Sequence, residues 1–251
     1  MNKKSLTIIL SITLVILIII GIIIIINIPK KYKNTIFLGR NTKVSVKDNN
    51  LIITTDDEKV KKQNAYIYYN NYVIEGYILT EDEGSSSYNN NLHAYDMKDR
   101  YLTFDPTLIA YTKDLNIKFI STKNELLDDL EELENYFVED EIDISNFEID
   151  YIIKSTFDVN KDGKNEYIYS LGLIDDTQYY SLIIMKKDNK YYLIDEYDSN
   201  YEYSEGTKLE LVCILDYNND NNYEYIVSKV DEEQNTFSFY NFNNYKFSKI
   251  K

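Results

Sequence analysis

Tryptophan is absent from this 251-residue chain, and cysteine, histidine, proline and glycine are scarce: one Cys, one His, two Pro and seven Gly. With Cys213 alone there is no internal disulfide, and its place in the apolar run Leu209–Leu215 reads as a small buried hydrophobe. His93 lies in a polar stretch with no second histidine, and Cys213 has no base near it in sequence, so a His-activated nucleophile has little to build on. No Gly-x-Ser-x-Gly turn occurs either. Positive charge is also short. The chain holds 27 Lys and Arg against 42 Asp and Glu, a net of −15. The first 33 residues take five of the lysines and no acid, which leaves 22 basic against 42 acidic groups beyond them, a net of −20. Twelve of those acids fall between Glu125 and Asp150, where no Lys or Arg occurs. Such a surface repels nucleic acid and anionic lipid and attracts cations or basic partners. Solvation and avoidance of self-association explain it more simply, without a partner.

What the chain does have begins at the N-terminus. Leu6–Ile28 is a 23-residue apolar run interrupted only by Thr7, Ser11, Thr13, Gly21 and Asn27. At about 1.5 Å per residue it can span a hydrocarbon core of about 30 Å as a helix. It exceeds a secretory h-region and ends in Asn27-Ile-Pro-Lys-Lys rather than a small-residue cleavage site, so an uncleaved membrane anchor at residues 6–28 is expected. Lysines flank both ends and leave the positive-inside rule undecided. The four-residue head and weak, calcium-type loops downstream point to a C-terminal domain outside the cytoplasm.

Two copies of one acidic loop carry the functional signal. Phe157–Ser170 and Leu215–Ser228, offset by 58 residues, share seven of fourteen positions: Asp158/Asp216, Asn160/Asn218, Asp162/Asp220, Glu166/Glu224, Tyr167/Tyr225, Ile168/Ile226 and Ser170/Ser228. Oxygen-bearing side chains at positions 1, 3, 5 and 9 suit a hard cation, and the carbonyl of position 7, Lys164 or Asn222, adds a further oxygen. Ca²⁺ is the expected ion. Position 6 needs a sharp turn, which Gly163 adopts freely and Asn221 tolerates next best. An EF-hand is excluded because Tyr169 and Val227 stand where its bidentate Glu belongs, and because strand-like segments flank both loops. A pair of Asx-rich hairpin turns is the metal-free alternative.

The Asp-x-Asn-x-Asp-Gly-x-x-Glu loop between strands resembles the calcium loops of FG-GAP or VCBS-type repeats, over about residues 145–251. That resemblance implies β-propeller-like sheets in an extracellular protein and one Ca²⁺ per loop, held by Asp158, Asn160, Asp162 and Glu166 and by Asp216, Asn218, Asp220 and Glu224. The chain departs from the family in lacking a Phe-Gly…Gly-Ala-Pro signature. Two repeats are also fewer than the four to eight blades of a closed ring.

The remaining pattern predicts a mainly β fold: an N-terminal transmembrane helix, then antiparallel meander or blade-like sheets with one amphipathic helix. Residues 1–33 are the anchor and its basic flank, 34–145 a β-rich subdomain, and 146–251 two blade-like repeats. Thr122-Lys-Asn-Glu125 reads as a capping box opening a helix over about 122–137, whose Leu126, Leu127, Leu130, Leu133 and Phe137 form one apolar stripe. The repeats resolve into strands at about 149–157, 166–173, 179–187 and 191–196, then 209–215, 223–230, 237–242 and 246–250. Tyrosine clusters at Tyr66-Ile-Tyr-Tyr69 and Tyr191–Tyr203 offer a carbohydrate-stacking surface. AT-rich codon bias acting on strands explains them more simply. The functional expectation is a membrane-anchored, calcium-binding, non-enzymatic module that binds a cell-envelope or protein ligand or acts as a scaffold, and does not bind nucleic acid. A structural envelope protein without a ligand is the alternative, and a carboxylate-dependent hydrolase stands behind both.

Overall fold

Alternating apolar and polar residues, punctuated by Asn and Asp pairs, build a mainly β fold of antiparallel sheets with one short helix. The computed structural model describes residues 32–250 except 40–41, 56–59, 83–89, 104–108, 141, 201–206 and 231–234. The expected anchor at residues 6–28 therefore lies outside the described residues, as does the middle of the polar stretch 81–91. Among the described residues no helix is long and apolar enough to cross a membrane.

Residues 35–112 form one sheet. Strands β1 (Thr35–Leu38), β2 (Thr42–Lys47), β3 (Asn50–Thr55), β4 (Gln63–Tyr69), β5 (Tyr72–Asp82), β6 (Asn90–Asp96), β7 (Tyr101–Thr103) and β8 (Ile109–Thr112) lie in the order β3-β2-β1-β8-β4-β5-β6-β7. The hairpin turns Asp48-Asn49 and Asn70-Asn71 have positive φ at both residues, the type I′ geometry that matches strand twist and that Asn and Asp tolerate best. His93 is not in a polar loop. It sits in β6 opposite Leu79 and is 5 % exposed, because both faces of that strand are covered.

The two repeats form two further sheets. The first is β11 (Glu148–Phe157), β12 (Glu166–Ile174), β13 (Gln178–Lys187) and β14 (Lys190–Asn200). The second is β15 (Lys208–Asp216), β16 (Glu224–Val230), β17 (Asn235–Asn243) and β18 (Lys246–Lys249). Each meander gains a fifth strand from upstream. β9 (Lys118–Ile120) pairs with β15 of the second repeat, and β10 (Lys123–Leu126) pairs with β11 of the first. Residues 118–126 thus stitch the two sheets together at their leading strands.

The expected helix over 122–137 is corrected by this pairing. Lys123, Asn124, Glu125 and Leu126 lie opposite Thr156, Ser155, Lys154 and Ile153 and complete the edge of β11. Thr122 caps no helix: its N–H donates to Asn71 Oδ1 at 3.1 Å, and its carbonyl accepts from Asn71 Nδ2 at 2.7 Å. Helical structure begins only at a 3₁₀ turn, Glu131–Leu133, which runs into helix α1 (Glu134–Glu139). Leu133 and Phe137 of the expected stripe are buried against Ile152, Tyr169, Leu171 and Leu182, while Leu126 is 74 % exposed. Burying Phe137 is worth about 1.5–3 kcal/mol.

The second repeat is covered on both faces. One face packs Cys213, Leu215, Ile226 and Phe239 against Ile36, Leu38 and Tyr111 of the N-terminal sheet. The other packs Ile214, Tyr225, Val227 and Tyr240 against Phe157, Ile168, Ile183 and Met185 of the first repeat. Cys213 is fully enclosed, and burial pushes its thiol well above the usual range, as expected of an inert core cysteine. Between Leu211 and Cys213 a bulge shifts the register of β15. The free N–H groups of Leu209 and Leu211 on that strand are capped by Ser181 Oγ at 2.9 Å and Ser170 Oγ at 3.2 Å.

Candidate metal centre

Both acidic loops join the first two strands of a repeat, β11 to β12 and β15 to β16. Their backbones agree. Position 4 is left-handed at Lys161 and Asn219 (φ 59° and 61°), and position 6 at Gly163 and Asn221 (φ 82° and 64°). The side chains repeat the same hydrogen bonds. Asp158 accepts from the N–H of Asp162 at 3.1 Å and of Gly163 at 2.9 Å; Asp216 accepts from Asp220 and Asn221, both at 3.2 Å. Asn160 Nδ2 donates to Asp162, and Asn218 Nδ2 to Asp220, each at 3.0 Å. Asp162 and Asp220 each accept the N–H two residues on, from Lys164 and Asn222, at 2.8 Å. The Lys164 N–H holds the Asp162 carboxyl below its ordinary range. At Asp220 partial burial pushes the other way, and the Asn222 N–H with the Asn218 amide still bring it down.

The position 9 carboxylates separate the two loops. Glu166 accepts from the Val159 N–H at 3.1 Å and pairs with Lys187 Nζ at 2.7 Å. The register explains the pair: Tyr167 faces Lys186, so the next residue of β13 reaches Glu166. In the second repeat Glu224 faces Asn241, a neutral residue. Glu224 is 3 % exposed, and its Oε2 has no hydrogen-bond partner among the described residues. Burial, with the nearby Asp220 and Asp216 carboxylates, pushes its pKa up to about 8, against the opposing pull of the Tyr217 N–H. Asp216 is completely buried and pairs with Lys118 Nζ, 3.6 Å from Oδ2. In the second loop Asp216 and Asp220 therefore act electrostatically on Glu224, while Lys118 pairs with Asp216 across the strand register.

This donor set has the chemistry of a hard-cation site: carboxylate and amide oxygens from Asp158, Asn160, Asp162 and Glu166, and from Asp216, Asn218, Asp220 and Glu224. The oxygens at positions 1 and 5 are occupied by the loop's own N–H groups. Among the described residues no three Asp, Glu, His or Cys side chains converge as a ready ligand shell. Cation binding at either loop requires those carboxylates to exchange N–H partners for the ion. Lys187 and Lys118, the resident ammonium groups, had no local sequence signal. Strand register alone places them. Comparison with protein-family models, curated proteins and solved structures finds no match to this chain.

Proposed function

We propose that this chain is a membrane-anchored, extracytoplasmic, Ca²⁺-binding β-repeat protein that serves as a binding or scaffold module at the cell surface. Residues 6–28 are its anchor, and the two Asp-x-Asn-x-Asp loops are its metal sites, in keeping with the FG-GAP or VCBS-like pattern. The observation that carries the reading is the buried Glu224 carboxylate, whose Oε2 has no hydrogen-bond partner among the described residues and which interacts with the Asp216 and Asp220 carboxylates. A buried carboxylate without a counter-charge must take up a proton or a cation. Bound Ca²⁺ supplies positive charge to three carboxylates and ties the end of one strand to the start of the next. Asp216 ends β15 and Glu224 opens β16, so the loop is clamped from both sides.

The test is calorimetric titration of the full-length protein in detergent. Two sites in the rough range 10⁻⁴–10⁻³ M are expected, as for extracellular modules. Asp220→Ala removes one and Asp162→Ala the other. A folded protein giving no heat at millimolar calcium contradicts the metal assignment. Capture of an envelope component that disappears with chelator supports a binding module over a purely structural one.

A further inference from the structure

The second acidic loop is tied to parts of the fold outside its own repeat. Tyr217, at position 2, donates its hydroxyl to the Asn49 carbonyl at 2.7 Å, in the turn between β2 and β3 of the N-terminal sheet. Its ring is 8 % exposed and lies in the same buried cluster as Leu51 of β3 and Ile36 of β1. Asn219, at position 4, donates its amide to the Asn116 carbonyl, in the link from β8 to β9, between the buried Leu115 and Ile117. Asp216, at position 1, faces Lys118 of β9 in register. The matching residues of the first loop are Val159, whose side chain has no polar atom, and Lys161, which is exposed. Val159 packs on the cluster shared by the two repeats.

Ligand and tether alternate along five residues. Positions 1, 3 and 5 carry the oxygens offered to a cation, and positions 2 and 4 carry the two side chains bonded elsewhere. The Tyr217 backbone N–H donates to Glu224, so residue 217 joins the ninth position of the loop to the Asn49 turn. Burial, and then the Glu224, Asp220 and Asp216 carboxylates, hold the Tyr217 phenol above its ordinary range. Its hydroxyl therefore sits in the field of all three acids, which weakens it as a donor to Asn49. A divalent cation among those acids reverses the sign of that field. The O–H becomes the stronger donor, and ligation at alternate residues fixes the backbone of 216–220 between the two tethers.

We infer that a divalent cation in the second loop latches the β2–β3 end of the N-terminal sheet to the repeats through Tyr217 and Asn219, and that an ion in the first loop leaves that sheet unaffected. This role rests on the calcium reading of the loops and adds what the second ion controls. By linkage the latch works in both directions: whatever the ion adds to the Tyr217–Asn49 contact, that contact adds to the affinity for the ion. The sheet so held is the one that follows the expected anchor at 6–28 in sequence.

Hydrogen-exchange mass spectrometry of the full-length protein in detergent, with calcium at ten times the calorimetric Kd and with chelator, tests the latch. Calorimetry on the same samples counts the loaded loops, so a loss of calcium binding is told apart from a loss of coupling. Amides of residues 44–53 exchange about fivefold more slowly in calcium, the low end of ordinary coupling between sites. Asp220→Ala abolishes that slowing, and Asp162→Ala leaves it whole. Tyr217→Phe keeps the ring and removes the hydroxyl; it reduces the slowing at 44–53 and weakens the second site to the same degree, with the first site unchanged. Adding Asn219→Gly, which keeps the left-handed backbone, deepens both losses. Should the double variant fail to fold, Tyr217→Phe alone must still show both. Absence of heat at both loops overturns the latch together with the calcium reading. Two loaded sites with unchanged exchange at 44–53, slowing that survives Asp220→Ala, slowing lost in Asp162→Ala, or a Tyr217→Phe protein indistinguishable from wild type overturns the latch alone.

Discussion

The two acidic loops share a backbone, a turn geometry and a hydrogen-bond scheme, and they differ in how their ninth residue is neutralised. Glu166 has Lys187 at 2.7 Å, whereas Glu224 faces Asn241 and has an unpartnered oxygen. Their settings differ as well. The first repeat is covered on one face by the second repeat and on the other by α1, while the second lies between two sheets, with Asp216 and Glu224 both enclosed. One sequence motif thus yields a loop whose ninth residue has its own cation and a loop whose ninth residue has none among the described residues. A motif specifies donors, and the surrounding register decides whether they are already satisfied.

The sharpest way to break that comparison is pH. In the absence of calcium the folded state holds the Glu224 proton more tightly than the unfolded chain does. Its contribution to stability is therefore fully present below pH 4.5 and is lost as pH rises through about 8. The full swing is on the order of 5 kcal/mol at most. Denaturant titrations across that window should show stability falling with pH in wild type, a much flatter profile in Glu224→Gln, and little change in slope from Glu166→Gln.

A second contrast deletes position 1. Asp216→Ala strips a fully buried cap from the N–H groups of Asp220 and Asn221 and leaves Lys118 without its carboxylate, at a cost of about 2–4 kcal/mol. Asp158→Ala removes the same bonds from a half-exposed loop, where water replaces them, and should cost about 1 kcal/mol. Chemical denaturation reads both, and equal losses would mean that burial does not distinguish the loops.

How much of this was legible in the sequence depended on range. The eight repeat strands follow their alternating residues and Asn or Asp turns closely, because those signals are local; Asp188-Asn189 forms a two-residue turn with positive φ at both residues. The turn before β18 lies at Asn244-Tyr245, again with positive φ at both residues. The segment at 123–126 went the other way. Its Thr-x-x-Glu spacing is a sound local helix signal, but four cross-strand pairs with β11 outweigh it. The β6 strand was hidden because Leu92, His93 and Ala94 are buried in succession, which erases alternation. The donors of the candidate site were visible from spacing. The missing counter-charge at Glu224 was not, since it depends on which residue of β17 lies opposite.

A gentler change should make the loops more alike. Lys187→Met removes the resident ammonium from Glu166 and should cost about 1 kcal/mol without calcium, the usual scale for a partly exposed ion pair. With the tethered competitor gone, the first loop should bind calcium more tightly, which titration calorimetry would detect as a shift in one of two sites. An unchanged affinity would show that Lys187 does not compete with the ion.

Thermal melting of the full-length protein, with calcium and with chelator, measures the central claim most directly. Calcium at ten times Kd stabilises by about 1.4 kcal/mol per site, or about 3–6 °C for a chain of this size. Wild type should melt higher in calcium by the sum of two such increments. Asp220→Ala should lose the increment of the second loop, Asp162→Ala should lose that of the first, and the second loop's should saturate at lower calcium. Superimposable curves for wild type at saturating calcium and in chelator would contradict the account and leave both loops as metal-free Asx turns.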